Sequence, residues 1–152
     1  MKTIILTLAL FCAKSLTAQW TYKEITDGFD DPYRVAYTES DGSAYLKLEN
    51  SDGKIAFFVK GGYYCDDKLL CDFVFSTATE NYKASLTGYK SSASDIVFFS
   101  FDLLAESEEF VSWFKKCSKV KIRVNESYCT TSYYEFNMGK SSSALEFMNN
   151  KK

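Results

Sequence analysis

The chain has 152 residues, 18 of them basic and 20 acidic, a formal charge of −2, an aromatic share of 17% and no histidine. The missing histidine excludes the ordinary Ser-His and Cys-His nucleophile pairs, His-ligated zinc and the commonest general base. The acidic balance argues against a nucleic-acid partner.

The first segment has Lys2, an apolar run from Ile4 to Ala13, and then Ser15, Thr17 and Ala18 before Trp20. That is the layout of a secretory signal peptide. The run is about half as long as a membrane-spanning helix needs, and the bulky Phe11 before Cys12 disfavours lipid attachment there. The expectation is a leader over 1–18, a single domain over 19–152, a secreted or periplasmic location and no membrane span. Cleavage removes Lys2 and Lys14, which leaves 16 basic residues against 20 acidic ones.

"TDGFDDPY" follows, with Asp27, Asp30 and Asp31 ahead of Pro32. Paired carboxylates can act as acid and base or hold a hard cation. The spacing does not fit an EF-hand calcium loop, and an acidic surface turn whose proline presets the next strand is the simpler reading. "YRVAYT", "SAYLKLE" and "KIAFFVK" come next, separated by Ser-Asp-Gly turns at Ser40 to Gly42 and Ser51 to Gly53. This is the cadence of a β-meander, since Asp and Gly supply the local bonding and positive φ of tight hairpins.

Further strands are expected at "LLCDFVFS" from Leu69, "NYKASLTGYK" from Asn81 and "DIVFFSF" from Asp95, the last apolar enough for a central position. One amphipathic helix, about 105–117, places Phe110, Trp113, Phe114 and Cys117 on one face, with glutamates at its start and Lys115 and Lys116 at its end. In "KVKIRVN", Val120, Ile122 and Val124 alternate with Lys119, Lys121 and Arg123, so one face is buried and the other wet. The basic row reads as a solvated face or as a contact for an acidic partner.

"GKSS" at Gly139 to Ser142 sits where a phosphate loop would, but Tyr134 stands where the Walker pattern needs glycine. Ser143 and Glu146 read as a capping box for a short C-terminal helix, about 143–149. The fold class expected is mainly β, an antiparallel β-sandwich with those two helices.

Cys65, Cys71, Cys117 and Cys129 remain after the leader. Outside a reducing cytosol an even number favours disulfides, and the spacings fit neither zinc knuckles nor a C-x-x-C redox pair. Three connectivities exist. A hairpin with Lys68 at its tip makes Cys65–Cys71 the simplest and leaves Cys117–Cys129 by elimination. Tyrosines exceed what a core of this size needs, and adjacent ones on a strand face opposite ways. The partner contact expected is the hairpin tip, Tyr63, Tyr64, Asp66, Asp67 and Lys68.

Trp20, the "DD" about ten residues on, "YLKLENSDGKIAFFV" and the ending "KVKIRVNESYCTTSYYEFNMGKSSSALEFM" resemble the small exported VasI-like proteins associated with type VI secretion, and more loosely the invasion-associated locus B group. The chain differs from the first in having no cysteine in "LKLEN". The resemblance implies a non-catalytic accessory or binding role with no catalytic residues. The functional expectation is therefore an exported, non-enzymatic protein without cofactor or metal. It binds another macromolecule, protein or polysaccharide, through an aromatic sheet face or loops. A carbohydrate-binding or adhesion module is the alternative, and a hydrolase using Asp30 and Asp31 comes last.

Overall fold

The computed structural model describes residues 20–26, 32–40, 43–51, 54–92, 95–100 and 108–150. The leader and the Asp27, Asp30 and Asp31 segment lie outside them. The elements are β1 (Thr21–Ile25), β2 (Tyr33–Glu39), β3 (Tyr45–Ser51), β4 (Lys54–Lys60), β5 (Lys68–Ser76), β6 (Asn81–Lys90), β7 (Ile96–Ser100), α1 (Glu108–Lys116), β8 (Lys119–Asn125), β9 (Ser132–Asn137) and α2 (Ser141–Asn149).

The strands form one antiparallel sheet in the order β1-β2-β3-β4-β7-β6-β5-β8-β9. The Ser-Asp-Gly segments join paired neighbours, β2 to β3 and β3 to β4, and β7 takes the central place its apolar run suggested. β1 is an addition to the strands expected from sequence. Its middle residues, Tyr22, Lys23 and Glu24, are all exposed, so no buried stripe marks it.

Alternation decides the two faces. Leu69, Cys71, Phe73 and Phe75 of β5 point inward with Val120, Ile122 and Val124 of β8, while Lys121 and Arg123 point out. Inward residues of β3 and β4, Leu46, Leu48, Phe57 and Val59, continue the same core.

The sheet is joined unevenly. β6 pairs with β5 along its length, from Asn81↔Ser76 to Tyr89↔Lys68. Among the described residues it pairs with β7 only at Tyr89↔Phe98 and Lys90↔Val97. The opening between the halves is filled by α1. Phe110 packs edge-on against Phe57 of β4, with centroids 5.8 Å apart, and against Phe73 and Phe75 of β5, at 5.4 and 4.9 Å. Trp113 lies flat on Tyr82 of β6 at 5.5 Å, and Trp20 abuts Phe114.

The described strands thus form a single open sheet, where two facing sheets were expected. Alternation specifies a strand with one buried face and is silent about what covers it; here helices supply much of that cover. α1 agrees with the expected helix over 108–116, and 105–107 lie outside the described residues.

α2 begins two residues earlier than expected, at Ser141, and the Ser143–Glu146 capping box is not its start. The residue before the helix is Lys140, in the left-handed conformation (φ 67°, ψ 22°) with no side-chain cap bond. Ser141 is buried and donates its hydroxyl to the Phe114 carbonyl at 2.6 Å, so a tertiary contact replaces the local cap. At the far end of α2, Asn50 donates to the Met148 carbonyl at 2.6 Å, and Arg34 donates to the Phe147 and Asn150 carbonyls, an arrangement that suits the negative helix end.

A non-glycine residue at positive φ is strained by roughly 1–2 kcal/mol. Lys140→Gly is therefore expected to raise the stability by about 0.5–1 kcal/mol, because glycine adopts that backbone freely. A denaturant midpoint that falls would show that Lys140 is held there by contacts worth more than the strain.

Candidate functional site

Outer positions of β6, β5, β8 and β9 are aligned by register into transverse rows. One row runs Lys83, Val74, Lys121, Glu135, and the next runs Ser85, Asp72, Arg123, Tyr133. They line a concavity of about 640 Å³.

Asp72 organises its floor. One carboxylate oxygen accepts from Ser85 Oγ at 2.6 Å, and the other accepts from Arg123 Nε at 2.9 Å, Arg123 Nη2 at 2.5 Å and Asn125 Nδ2 at 2.9 Å. These bonds stabilise the charged form, so the hydroxyl of Ser85, then Arg123 and Asn125, draw the Asp72 carboxyl down to about 2. Glu135 is lowered by Lys119 at 2.6 Å, with Lys121 at 3.4 Å adding to it. Lys83 is exposed and carries no ion pair among the described residues.

At one end of this face two loops are tied together. The segment after β4 meets the β8–β9 turn through a Cys65–Cys129 disulfide, with Cα atoms 6.0 Å apart and a sequence separation of 64. Cys65 N donates to Glu126 Oε2 at 2.5 Å, and Ser127 N donates to Asp66 Oδ2 at 2.5 Å. Lys90 donates to the Cys65 carbonyl at 2.9 Å and pairs with Asp67 at 3.1 Å. A side chain at Gly61 would collide with the Tyr134 ring, so glycine lets the two segments approach closely here.

Both expected disulfides are corrected by this pairing. β4 and β5 are not neighbours, since β7 and β6 lie between them, so Gly61–Phe73 is no hairpin and Cys65 never opposes Cys71. Cys71 instead faces the core between Leu86 and Val124 in register, and Cys117 is buried immediately after α1. Burial pushes both thiols up to about 12.

The expected contact residues divide. Tyr63 is 73% exposed, and Asp67 and Lys68 are at the surface. Tyr64 is fully buried, its hydroxyl 2.9 Å from that of Tyr134, and burial raises its pKa; it is withdrawn from the contact surface. The strand rule for adjacent tyrosines does hold at Tyr133, exposed, and Tyr134, half-buried.

Cys65, Cys129 and Glu126 form a close triad of potential metal-ligand atoms within 4.8 Å. The disulfide withdraws both thiolates as ligands, and Oε1 of Glu126 is a buried acceptor with no donor.

Six large apolar or aromatic side chains are exposed among the described residues, and five of them belong to this half of the sheet: Leu70, Tyr89 and Tyr133 on its strands and Tyr63 and Tyr128 in the tied loops. Tyr128 and Leu70 were not singled out from sequence. The turn position beside Cys129 and the outward alternation of β5 were the available signals. Comparison with protein-family models, curated proteins and solved structures found no match for this chain.

Closing a loop of 64 residues limits the unfolded chain by an amount worth about 4 kcal/mol in the chain-entropy account. The Cys65→Ser/Cys129→Ser double variant should therefore lose about 2–5 kcal/mol. In the native oxidised protein neither Cys71 nor Cys117 should react with iodoacetamide until it is unfolded. Two rapid alkylations under native conditions would contradict the buried assignment.

Asp72 has a folded value of about 2 against about 3.9 unfolded. Its stabilising contribution is complete above pH ~4 and is lost as pH falls toward 2. Asp72→Asn should flatten the acid limb of a stability–pH curve in that window, and an unchanged limb would remove Asp72 as its source.

Proposed function

We propose that this chain is an exported, non-enzymatic binding protein that contacts another macromolecule through the outer face of β6, β5, β8 and β9 and the disulfide-tied loops at its end. One observation carries the reading: among the described residues, five of the six large exposed apolar or aromatic side chains belong to the β6, β5, β8 and β9 half, on its strands or in the loops tied at its end. Solvated surfaces gain nothing from such grouping, whereas contact surfaces use it.

Supporting features come from both levels. The leader-like residues 1–18 suit export, and a disulfide suits an oxidising compartment. No helix among the described residues is long and apolar enough to cross a membrane. Tyrosine provides a large, amphipathic contact area with few torsions to freeze. Tying the two loops ahead of binding reduces the ordering that association would otherwise require. The resemblance to VasI-like accessory proteins leads to the same class of role.

The test is saturable binding of fluorescently labelled mature protein to immobilised cell-surface extracts, separated into polysaccharide and protein fractions. The Tyr63→Ala/Tyr128→Ala/Tyr133→Ala variant should bind at least tenfold more weakly while melting within a few degrees of the native protein. Equal binding by this variant would show that the cluster is not the contact surface. Absence of saturable binding to either fraction would overturn the role.

A further inference from the structure

We infer that the ligand of this face is an acidic polysaccharide, held by Lys83, Lys121 and Arg123 with a sugar ring stacked on Tyr133; the inference rests on the binding role proposed above.

Charge comes first. The concavity and its rim bring together Lys83, Lys119, Lys121 and Arg123 with two carboxylates, Asp72 and Glu135, on a chain whose formal charge is −2. Both carboxylates are already used: Asp72 binds Arg123, and Glu135 bridges Lys119 and Lys121. Their effect is to fix the cations in place. Lys83 and the remaining donors of the lysines and of Arg123 stay available to an added anion.

Geometry then selects the kind of anion. Lys83 and Lys121 are separated by one strand, so their backbones stand about 10 Å apart, and Lys121 and Arg123 are about 7 Å apart along β8. The cations therefore form a shallow two-dimensional array. Lys121 and Arg123 stand on a sheet face whose β5 and β8 backbones are paired on both sides, and Lys83 flanks them from the stretch of β6 beyond its pairing with β7. An extended peptide laid across such a face finds no backbone partners for its own N–H and C=O groups, the main source of affinity in strand addition. A sugar chain has no such requirement. Its hydroxyls remain solvated, its ring faces are apolar, and Tyr133, 71% exposed beside Arg123, offers a flat surface for one. Four cations also fall short of the roughly 6–10 phosphate contacts typical of duplex DNA recognition.

The experiment uses the oxidised mature chain in affinity electrophoresis through gels containing polygalacturonate, dextran sulfate, unsubstituted dextran or duplex DNA. The expected result is retardation by one or both acidic polysaccharides, with the uronate and sulfate arms separating carboxylate from sulfate ester recognition, and none by unsubstituted dextran. Engagement of the three cations predicts binding weaker by roughly 20- to 40-fold between 50 and 200 mM salt. Lys83→Gln/Lys121→Gln should weaken retardation at least tenfold and Tyr133→Ala severalfold. Lys115→Gln/Lys116→Gln, which removes the same charge from α1, should leave it within twofold.

Equal loss in the α1 control would reduce the effect to net charge and overturn the site. Equal retardation by unsubstituted dextran, or stronger retardation by DNA, would overturn the ligand class. If no acidic polysaccharide retards the protein while the protein fraction of the surface extract still binds it saturably and through the tyrosines, the ligand class fails and the binding role stands. If neither binds, both fail.

Discussion

The structure depends on an aromatic wedge. Among the described residues the two halves of the sheet are joined by strand pairing only at Tyr89↔Phe98 and Lys90↔Val97, and two residue pairs cannot by themselves hold the halves in one arrangement. Phe110 can, because its ring touches Phe57 on one half and Phe73 and Phe75 on the other. Edge-to-face contacts of this kind add about 0.5–1.5 kcal/mol each to the burial of large apolar surface. Trp113 on Tyr82 extends the wedge along the part of β6 that has left β7. Phe114 links it to Trp20 and, through its carbonyl, to Ser141 at the start of α2.

Packing both helices on the inner face leaves the outer face free for other chemistry. On β5 and β8 that face carries Asp72, Lys121 and Arg123, whose burial the core never required. A covered inner face and a solvated outer one are ordinary for antiparallel sheets. What distinguishes this outer face is that its charges are mutually fixed through Asp72 and Glu135, and that one end is closed by a covalent bond between two loops. A surface already held in place loses less freedom on binding than one that must be ordered.

The same bond explains where local reasoning stops. Cys65 and Cys71 are close in sequence and look like the two sides of a hairpin, but pairing is set by which strands become neighbours. The chain returns from β4 to β5 across the position of two strands not yet made, which carries Cys65 to the β8–β9 turn 64 residues later. Tyr64 follows the same logic. Beside an exposed Tyr63 it reads as half of a surface pair, and only the approach of Tyr134 over Gly61 encloses it. Lys140 and Ser141 are a smaller case, since a capping box is a local device and here a hydroxyl bound to another helix replaces it.

Sequence alone determined the features set by period and by near neighbours. The hairpins at the Ser-Asp-Gly segments, the buried and wet sides of β8 and the apolar stripe and end charges of α1 were all legible, because each depends on residues a few positions apart. The single open sheet, the Cys65–Cys129 bridge, the burial of Cys71 and Tyr64, and the row joining Ser85, Asp72, Arg123 and Tyr133 were decided by tertiary structure. Those features require segments tens of residues apart to meet, and alternation fixes which way a side chain points without fixing what it will find there.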